Sequence, residues 1–248
     1  MTGGYRYPRF FAHRAGGALA PENTLAGLEV AARLGFHAVE FDVMLSSDGV
    51  PVLIHDETLE RTTNGCGRVA QTPVATLLCL DAGAKYQRAF AGVRIPTLQD
   101  ALARCAELKL AANIEIKPAR GFERETGHCV ATMVAALASD VLGRVRPLLS
   151  SFSETALEQA RDAAPQLPRA LLVESMPVDV LQRLQRLACV GLHCSSRDVT
   201  PEIAKVLVGA GVPYACYTVN RVDEATRLFA LGAAAVFTDR LDLFEPRE

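Results

Sequence analysis

Two acidic side chains stand two residues apart in an otherwise apolar run, Ala38-Val39-Glu40-Phe41-Asp42-Val43. Side chains alternate between the two faces of a β-strand, so Glu40 and Asp42 share one face. If the strand belongs to a parallel barrel, its apolar face packs on the surrounding helices and both carboxylates point into the barrel. Buried carboxylates are costly without a cation or an ion pair, so this run predicts a site for positive charge.

A second run, Asn113-Ile114-Glu115-Ile116-Lys117, repeats this arrangement. Its isoleucines face outward, and its polar residues, including Glu115 and Lys117, face inward. Together with Glu40 and Asp42, Glu115 completes a set of three carboxylates on adjacent strands. Oxygen ligands of this kind suit Mg²⁺ or Ca²⁺ far better than a soft metal. The alternative interpretation is an internal ion-pair network around Lys117.

Two of the five histidines, His13 and His55, each follow a short apolar run that is typical of a strand. At the mouth of a barrel that holds the acids, two imidazoles can divide the duties of base and acid near neutral pH. Arg14, directly after His13, is either a phosphate ligand or a solvated strand end. The other histidines have no chemical context and are interpreted as structural: His37, His128 and His193.

The predicted place of His55 depends on a hairpin that follows the strand of Asp42. Asp48-Gly49 is a dipeptide typical of a two-residue turn. Counting back from such a turn pairs Ser47 with Val50, and eventually Asp42 with His55. This register predicts that His55 lies beside the proposed metal ligand.

The elements that must position these residues follow a regular rhythm of short aliphatic runs and longer amphipathic runs, which is typical of βα units. The predicted strands number eight, as a closed barrel requires. They span Arg9–Arg14, Ala38–Leu45, Ala111–Lys117, Pro147–Phe152, Arg169–Glu174, Val190–His193, Val212–Asn220 and Ala234–Thr238. The predicted fold class is α/β, a (β/α)8 TIM barrel with a small insertion after the second strand.

Several helices between the strands have recognisable ends. A capping side chain or an early proline precedes three of them: Asn23 before Thr24–Leu34, Ser153 before Thr155–Ala164, and Thr200-Pro201 before Ile203–Gly209. Glycines that follow apolar helical stretches predict C-terminal caps at Gly35, Gly211 and Gly232.

One segment breaks the rhythm, because roughly fifty residues separate the second strand from the helix at Leu98, against a usual βα loop of about 2 to 6 residues. Turn dipeptides such as Asn64-Gly65 predict a small insertion at about 46–97 on the catalytic face. Its apolar residues are interpreted as a small core of their own: Val69, Val74, Leu77, Leu78 and Leu80. Residues 1–248 are otherwise expected to form a single domain.

The composition excludes several classes of protein. The chain has 248 residues, close to the typical length of such a barrel, with 22% charged residues and a net charge of -2. This charge composition lacks the excess of basic residues that is typical of nucleic-acid-binding proteins. Seven scattered cysteines without a CxxC pair predict reduced thiols in a cytoplasmic protein. No secretion signal and no membrane insertion are expected, and the oligomeric state stays open, a homo-oligomer included.

A series of short motifs occurs in a fixed order along nearly the whole chain. They are His13-Arg14, Pro21-Glu22-Asn23-Thr24, Glu40-Phe41-Asp42, Asp48-Gly49 leading to His55-Asp56, Arg61-Thr62-Thr63-Asn64-Gly65, Pro96-Thr97-Leu98, Glu115-Ile116-Lys117, Ser151-Phe152 and Thr218-Val219-Asn220. In order, spacing and joint presence these motifs resemble the glycerophosphodiester phosphodiesterase family, particularly its small bacterial cytosolic members. Two departures concern Ala15, where many members have glycine, and Tyr217, where many have tryptophan.

The resemblance implies a barrel enzyme that hydrolyses small-molecule glycerophosphodiesters to glycerol 3-phosphate and an alcohol, with one divalent cation, Mg²⁺ or Ca²⁺. The implied metal ligands are Glu40, Asp42 and Glu115; the acid/base pair is His13 and His55; the phosphate ligands are Arg14 and Lys117. Phe152 and Tyr217 either line the substrate or pack in the core. Which histidine is the acid and which the base stays open.

Three alternatives compete with this interpretation. A Schiff-base lyase would use Lys117 as its nucleophile, although neighbouring acids would keep that amine protonated. A barrel that only binds a phosphorylated ligand would not need the intact acids and histidines. A lysophospholipase D-like phosphodiesterase would keep the chemistry but would require an apolar groove beside the mouth.

Overall fold

A computed structural model describes residues 5–137 and 145–246. In this part of the chain the strands form one sheet, and β1 pairs in parallel with both β2 and β9. Eight parallel strands therefore close into a barrel, and β3 adds to β2 from outside in antiparallel orientation. The strands are β1 (Phe10–Ala12), β2 (Ala38–Leu45), β3 (Pro51–Leu53), β4 (Ala111–Ile116), β5 (Pro147–Ser151), β6 (Arg169–Val173), β7 (Gly191–Ser195), β8 (Tyr214–Tyr217) and β9 (Ala235–Thr238).

Helices connect successive barrel strands and cover the outside of the barrel. They are α1 (Leu25–Arg33), α2 (Val74–Leu77), α3 (Leu98–Leu108), α4 (Glu123–Leu137), α5 (Glu154–Ala163), α6 (Val180–Leu187), α7 (Pro201–Gly209) and α8 (Val222–Ala230). The predicted (β/α)8 barrel is confirmed, with strands that match the predicted ones apart from their ends. Within the described residues, every helix is too short or too polar to span a bilayer.

The helix caps agree with the sequence except at one position. Ser153 and Thr200 cap α5 and α7 with their side chains, as predicted. For α1 the cap is Thr24, so the prediction of Asn23 as the cap is wrong. Asn23 has a φ of 56°, and its side chain donates a hydrogen bond to Asp42 instead of capping the helix. The three predicted C-terminal glycines all have positive φ: Gly35, Gly211 and Gly232.

The barrel strands alternate between outward apolar residues and a mixed inward set. Outward residues such as Phe41 and Ile114 are fully buried in the main core between strands and helices. The inward set near the amino-terminal ends of the strands is a second cluster of mostly small residues with Phe11 and Phe237. Tyr7 packs against this cluster. The lower half of the barrel is therefore filled by this cluster, and the inward acids Asp42 and Glu115 lie above it.

The hairpin between β2 and β3 differs from the prediction. Its turn contains three residues, 47–49, and ends at Gly49 in the left-handed region with a φ of 78°. The additional residue shifts the register by one, and the Ile54 N–H donates to the Asp42 carbonyl at 3.1 Å. The predicted pairing of Asp42 with His55 is therefore wrong. His55 still lies at the mouth of the barrel because it directly follows this short strand.

The rest of the insertion folds over its own small core, as predicted. Val69 and Leu77 are completely buried there, and Val74 and Leu80 pack against them. The prediction is wrong for Leu78, which is half-buried and lies outside this cluster. Met44 of β2 and Val52 of β3 belong to the same cluster, so the insertion is fixed to the hairpin.

Candidate active site

A cavity of about 160 Å³ opens at the carboxyl ends of the barrel strands. Every residue to which the sequence assigned a role lines it: His13, Arg14, Glu40, Asp42, His55, Glu115, Lys117, Phe152 and Tyr217. The remaining lining residues are Asn113, Leu172, His193, Thr218 and Phe237. The structure thus brings together residues from nearly the whole length of the chain.

Three buried carboxylates form one side of this cavity. Glu40, Asp42 and Glu115 each contribute an oxygen that lies within 4.8 Å of the others. Asp42 is directly opposite Glu115 in the parallel pairing of β2 and β4, which explains their proximity. Burial and the neighbouring Asp42 raise the pKa of Glu40 to about 7 and that of Glu115 to about 8. One oxygen of each glutamate is buried with no hydrogen-bond partner among the described residues.

A divalent cation fits this cluster. Its ligands would be hard carboxylate oxygens from rigid strands, the donor type that Mg²⁺ and Ca²⁺ prefer. The unpartnered oxygens of Glu40 and Glu115 are what such a cation would satisfy. Among the described residues this is the only group of acids, histidines and cysteines with ligand spacing.

Lys117 contributes one positive charge to the acids. Its Nζ lies 3.2 Å from Asp42 Oδ1 and 3.6 Å from Glu115 Oε1. Burial alone would raise the pKa of Asp42, but Lys117 lowers it below its usual value. The ion-pair network that was the alternative interpretation is therefore present. Arg14 adds a second positive charge, with its Nε 3.9 Å from Asp42 Oδ2. Two cationic side chains do not balance three carboxylates, so the network and a metal site are compatible.

Arg14 lies in a strained turn directly after β1. Arg14 and Ala15 have φ values of 48° and 70°, in the left-handed region that favours glycine. This backbone places the Arg14 N–H 2.8 Å from Glu40 Oε2, to which it donates. The guanidinium donates to Glu22 at 3.2 Å. Many members of the family that the sequence resembles have glycine at the position of Ala15. The positive φ at this position explains that preference, because glycine adopts such a φ without strain.

His13 is oriented by a carboxylate that the sequence did not reveal. Its Nδ1 donates to Asp239 Oδ1 at 2.6 Å, and Asn220 donates to the other oxygen of Asp239 at 3.0 Å. The Nε2 of His13 faces Glu40 at 3.9 Å. Burial alone would lower the pKa of His13, but Asp239 and Glu40 raise it above its usual value.

His55 is held in the same way by a second carboxylate. Its Nδ1 donates to Asp56 Oδ1 at 2.6 Å. Arg61 donates to Asp56 and also to Glu22, at 2.8 Å, so Asp56 is itself fixed. Burial lowers the pKa of His55 below its usual value. Both histidines therefore keep Nε2 as the nitrogen available for chemistry.

Asn23 is a further residue whose part in the site was not recognised from the sequence. Its amide donates to Asp42 Oδ2 at 2.9 Å and accepts from the Asp42 N–H at 3.0 Å. This pair fixes the side chain and the backbone of Asp42. The only sequence signal for Asn23 was its place in the motif Pro21-Glu22-Asn23-Thr24, to which no role was assigned. The only signal for Asp239 was its place just after the last strand, where the active sites of barrels lie.

Phe152 and Tyr217 form an aromatic edge of the cavity. Their ring centroids are 5.9 Å apart in an edge-to-face arrangement. Phe152 is 40% exposed, which is inconsistent with core packing. The Tyr217 hydroxyl donates to the Val173 carbonyl at 2.5 Å, so the hydroxyl anchors the ring to β6 and leaves mainly the ring surface for the cavity.

We predict that binding of a divalent cation strengthens as the pH rises from about 6 to about 9 and releases protons. The sign follows from the raised pKa values of Glu40, about 7, and Glu115, about 8, because protons on these carboxylates compete with the cation. Titration calorimetry with Ca²⁺ or Mg²⁺ in buffers of different ionisation enthalpy measures the number of protons released. An affinity that is constant over this pH range would contradict the prediction.

Comparison with known proteins places this geometry in context. Residues 13–243 match the model of the glycerophosphoryl diester phosphodiesterase family. A glycerophosphodiester phosphodiesterase of Caldanaerobacter subterraneus subsp. tengcongensis is 33% identical over 92% of each chain. An Oleispira antarctica phosphodiesterase, solved in complex with the product sn-glycerol-3-phosphate, superposes with a TM-score of 0.89 at 37% identity, covering 94% of this chain and 93% of that one. A glycerophosphodiester phosphodiesterase of Agrobacterium tumefaciens has a TM-score of 0.78 at 29% identity, with coverage of 97% and 100%.

Proposed function

The chain belongs to the glycerophosphoryl diester phosphodiesterase family, and from that premise we propose that it hydrolyses glycerophosphodiesters to glycerol 3-phosphate and an alcohol. The observation that carries the proposal is one cavity that combines three converging carboxylates with two carboxylate-held histidines. The product complex of the Oleispira antarctica relative supports the same substrate class.

We assign the metal site to Glu40, Asp42 and Glu115, with Mg²⁺ or Ca²⁺ as the ion. A bound cation would supply Lewis-acid stabilisation of charge on a phosphate oxygen. Lys117, at the edge of the acid cluster, would bind a second phosphate oxygen as a point charge. Arg14, held by Glu22, would bind the phosphate through its guanidinium.

His13 and His55 are proposed as the general acid and base. Asp239 and Asp56 hold Nδ1 of each ring, so each Nε2 is the nitrogen that exchanges a proton with substrate. One histidine would accept the proton of the attacking oxygen. The other would donate a proton to the departing alkoxide, which is a poor leaving group without one. Phe152 and Tyr217 are proposed to pack against the carbon skeleton of the substrate.

Two features of the structure argue against the Schiff-base lyase and the lysophospholipase D-like activity. Burial alone would lower the pKa of Lys117, but Asp42 and Glu115 raise it, which disfavours a free-amine nucleophile for a Schiff-base lyase. A lysophospholipase D-like activity requires an apolar groove beside the mouth. The apolar residues of the insertion are the candidates for such a groove, but Val69 and Leu77 among them are buried in the insertion's own core.

We further propose that residues 1–248 act as one domain in the cytoplasm. Seven cysteines that are all free thiols support a reducing compartment, and Cys66 and Cys79 among them are exposed.

The decisive experiment is an assay of glycerol 3-phosphate release from glycerophosphodiesters with different headgroup alcohols. Release is expected with Mg²⁺ or Ca²⁺ and is expected to stop with a chelator and to return when the ion is restored. Absence of glycerol 3-phosphate release from every diester, with correctly folded protein and added cation, would refute the proposal.

We predict that Asp239→Asn and Asp56→Asn each lower kcat by about 10- to 100-fold, the range found for outer partners that orient functional side chains. An amide carries no charge to stabilise an imidazolium and can present its NH₂ to the ring, which disturbs the tautomer. The pH–rate profile should shift while KM stays close to that of the wild type.

The matched control is Asp223→Asn, on the exposed surface of α8. An unchanged kcat and pH profile for both Asp239→Asn and Asp56→Asn would mean that these carboxylates do not position the histidines.

A further inference from the structure

The cavity has a closed end whose polar groups have no part in the proposed mechanism. His193 on β7 and Asn113 on β4 are 0% and 1% exposed, and both line the cavity. His193 Nδ1 and Asn113 Oδ1 are buried without a hydrogen-bond partner among the described residues. Buried polar groups in proteins are nearly always paired with protein groups or ordered water, so these two atoms are positions in the cavity where a bound ligand can supply the partner.

His193 is fixed from below by a residue of the amino-terminal segment. Tyr7 and His193 Nε2 are hydrogen-bonded at 3.2 Å. Gly191 makes room for this contact, because a Cβ there would lie 2.2 Å from the Tyr7 hydroxyl. The ring also packs edge to face on Phe237, with centroids 5.0 Å apart. His193 therefore has one orientation, in which only Nδ1 lacks a partner.

The hydrogen bond to Tyr7 determines what His193 offers. Burial lowers the pKa of His193 to about 3, so the ring is neutral. Among the described residues the Tyr7 hydroxyl hydrogen has no acceptor other than Nε2, so Tyr7 donates and Nε2 accepts. The neutral ring then carries its hydrogen on Nδ1, which makes Nδ1 a donor.

Asn113 offers the complementary group. Its amide nitrogen donates to Ser150 Oγ at 2.9 Å, which leaves the carbonyl oxygen Oδ1 as an acceptor. Asn113 lies two residues before Glu115 on the same inward face of β4, so it is one step deeper in the barrel than Glu115 and level with Glu40, its partner on β2. Leu172 and Phe237 supply apolar surface at the same end.

A donor and an acceptor beside apolar walls select for one kind of group. A hydroxyl can accept from His193 and donate to Asn113, whereas an ionised phosphate has no hydrogen for Asn113 and an ammonium has no lone pair for His193. We propose that His193 and Asn113 bind the glycerol hydroxyls of the substrate and thereby select diesters that carry a free diol. This assignment rests on the proposed function, and it places the variable alcohol at the open mouth.

The first test uses the wild-type protein with Ca²⁺ or Mg²⁺ and compares two inhibitors of hydrolysis, glycerol 3-phosphate and propyl phosphate. They share the phosphate and the three-carbon chain, but only the first has hydroxyls. We expect the inhibition constant of glycerol 3-phosphate to be at least about 10-fold lower, because a site built for a hydroxyl rejects an analogue without one. Equal inhibition constants would overturn the proposal.

The second test uses His193→Phe and Asn113→Leu, with melting temperatures to verify folding. Their kcat/KM for glycerophosphoethanolamine is expected to fall by about 10-fold or more, with less than about 3-fold change for bis(p-nitrophenyl) phosphate, which has no hydroxyl. His128→Phe makes the same change on the exposed face of α4 and should alter neither value. An equal loss on both substrates, or no loss on either, would contradict hydroxyl recognition.

These experiments distinguish failure of the proposed hydrolytic function from failure of the proposed hydroxyl site. If the wild type releases no glycerol 3-phosphate from any diester, the proposed function fails, and hydrolysis of bis(p-nitrophenyl) phosphate still reports the two inhibition constants. If the wild type is active but does not distinguish glycerol 3-phosphate from propyl phosphate, only the hydroxyl site fails. Failure of a variant to fold leaves the wild-type comparison decisive.

Discussion

Replacing Glu115 by glutamine is expected to lower kcat/KM by about 10³-fold, the equivalent of roughly 4 kcal/mol of transition-state stabilisation from a bound cation. The same direction is expected for Glu40→Gln and Asp42→Asn, because each removes one of the converging carboxylates. Steady-state kinetics over a range of Mg²⁺ and Ca²⁺ concentrations measures the effect. A weakened site would recover part of its activity at high ion concentration.

Thermal unfolding separates this loss from a general loss of stability. Without metal, Glu115 is buried among other carboxylates, so glutamine relieves repulsion and should not lower Tm. Wild-type protein should gain Tm when the cation is added, since a ligand that binds only the folded state stabilises it. The variant should show little gain. Glu107→Gln on exposed α3 is the matched control, and full turnover after exhaustive metal removal would refute the metal site.

The barrel and the acid cluster were predictable because both follow from alternation within one strand. Glu40 and Asp42 differ by two positions on a fully buried strand, so their shared face needed no knowledge of the rest of the chain. Glu115 followed by the same argument on β4. Parallel pairing then placed Asp42 opposite Glu115, a contact that a closed barrel of adjacent strands implies.

The errors arose where a single residue or a distant partner decided the result. One additional residue in the turn before Val50 changed the register of the hairpin, and both turn lengths are compatible with Asp48-Gly49. Asn23 has the composition of a helix cap, but its bond to Asp42 prevailed over local preference. The partnership of His13 with Asp239 spans almost the entire chain, and no local pattern encodes it.

His193 shows a different limit of sequence reasoning. A lone histidine on a predicted strand is more often structural, and its contacts with Tyr7 and Phe237 are indeed those of a packed core residue. Its second ring nitrogen gives it a further role in the proposal above, and only the accounting of hydrogen bonds in the cavity reveals it. Sequence type alone cannot tell a satisfied histidine from one with a nitrogen to spare.

His13→Ala and His55→Ala are each expected to lower kcat on an unactivated glycerophosphodiester by about 10²- to 10⁴-fold, the usual contribution of a positioned acid or base. Both rings are held by a carboxylate at Nδ1, so both losses should be large. Substitution of His37 or His128, which are exposed, should have little effect on kcat.

The leaving group distinguishes the two histidines, whose roles the geometry alone leaves symmetrical. A p-nitrophenolate departs without protonation, so the variant that lacks the general acid should recover most of its loss on a p-nitrophenyl glycerophosphodiester. The variant that lacks the base should remain slow on both substrates, because activation of the attacking oxygen is still needed. Burial alone would lower the pKa of His13, but Asp239 and Glu40 raise it, whereas a cation bound beside Glu40 would lower it, so this comparison is a more direct assignment than a pH profile. Near-normal turnover of His55→Ala with an unactivated leaving group would remove His55 from the mechanism, and equal recovery of both variants would show that neither acts as the general base.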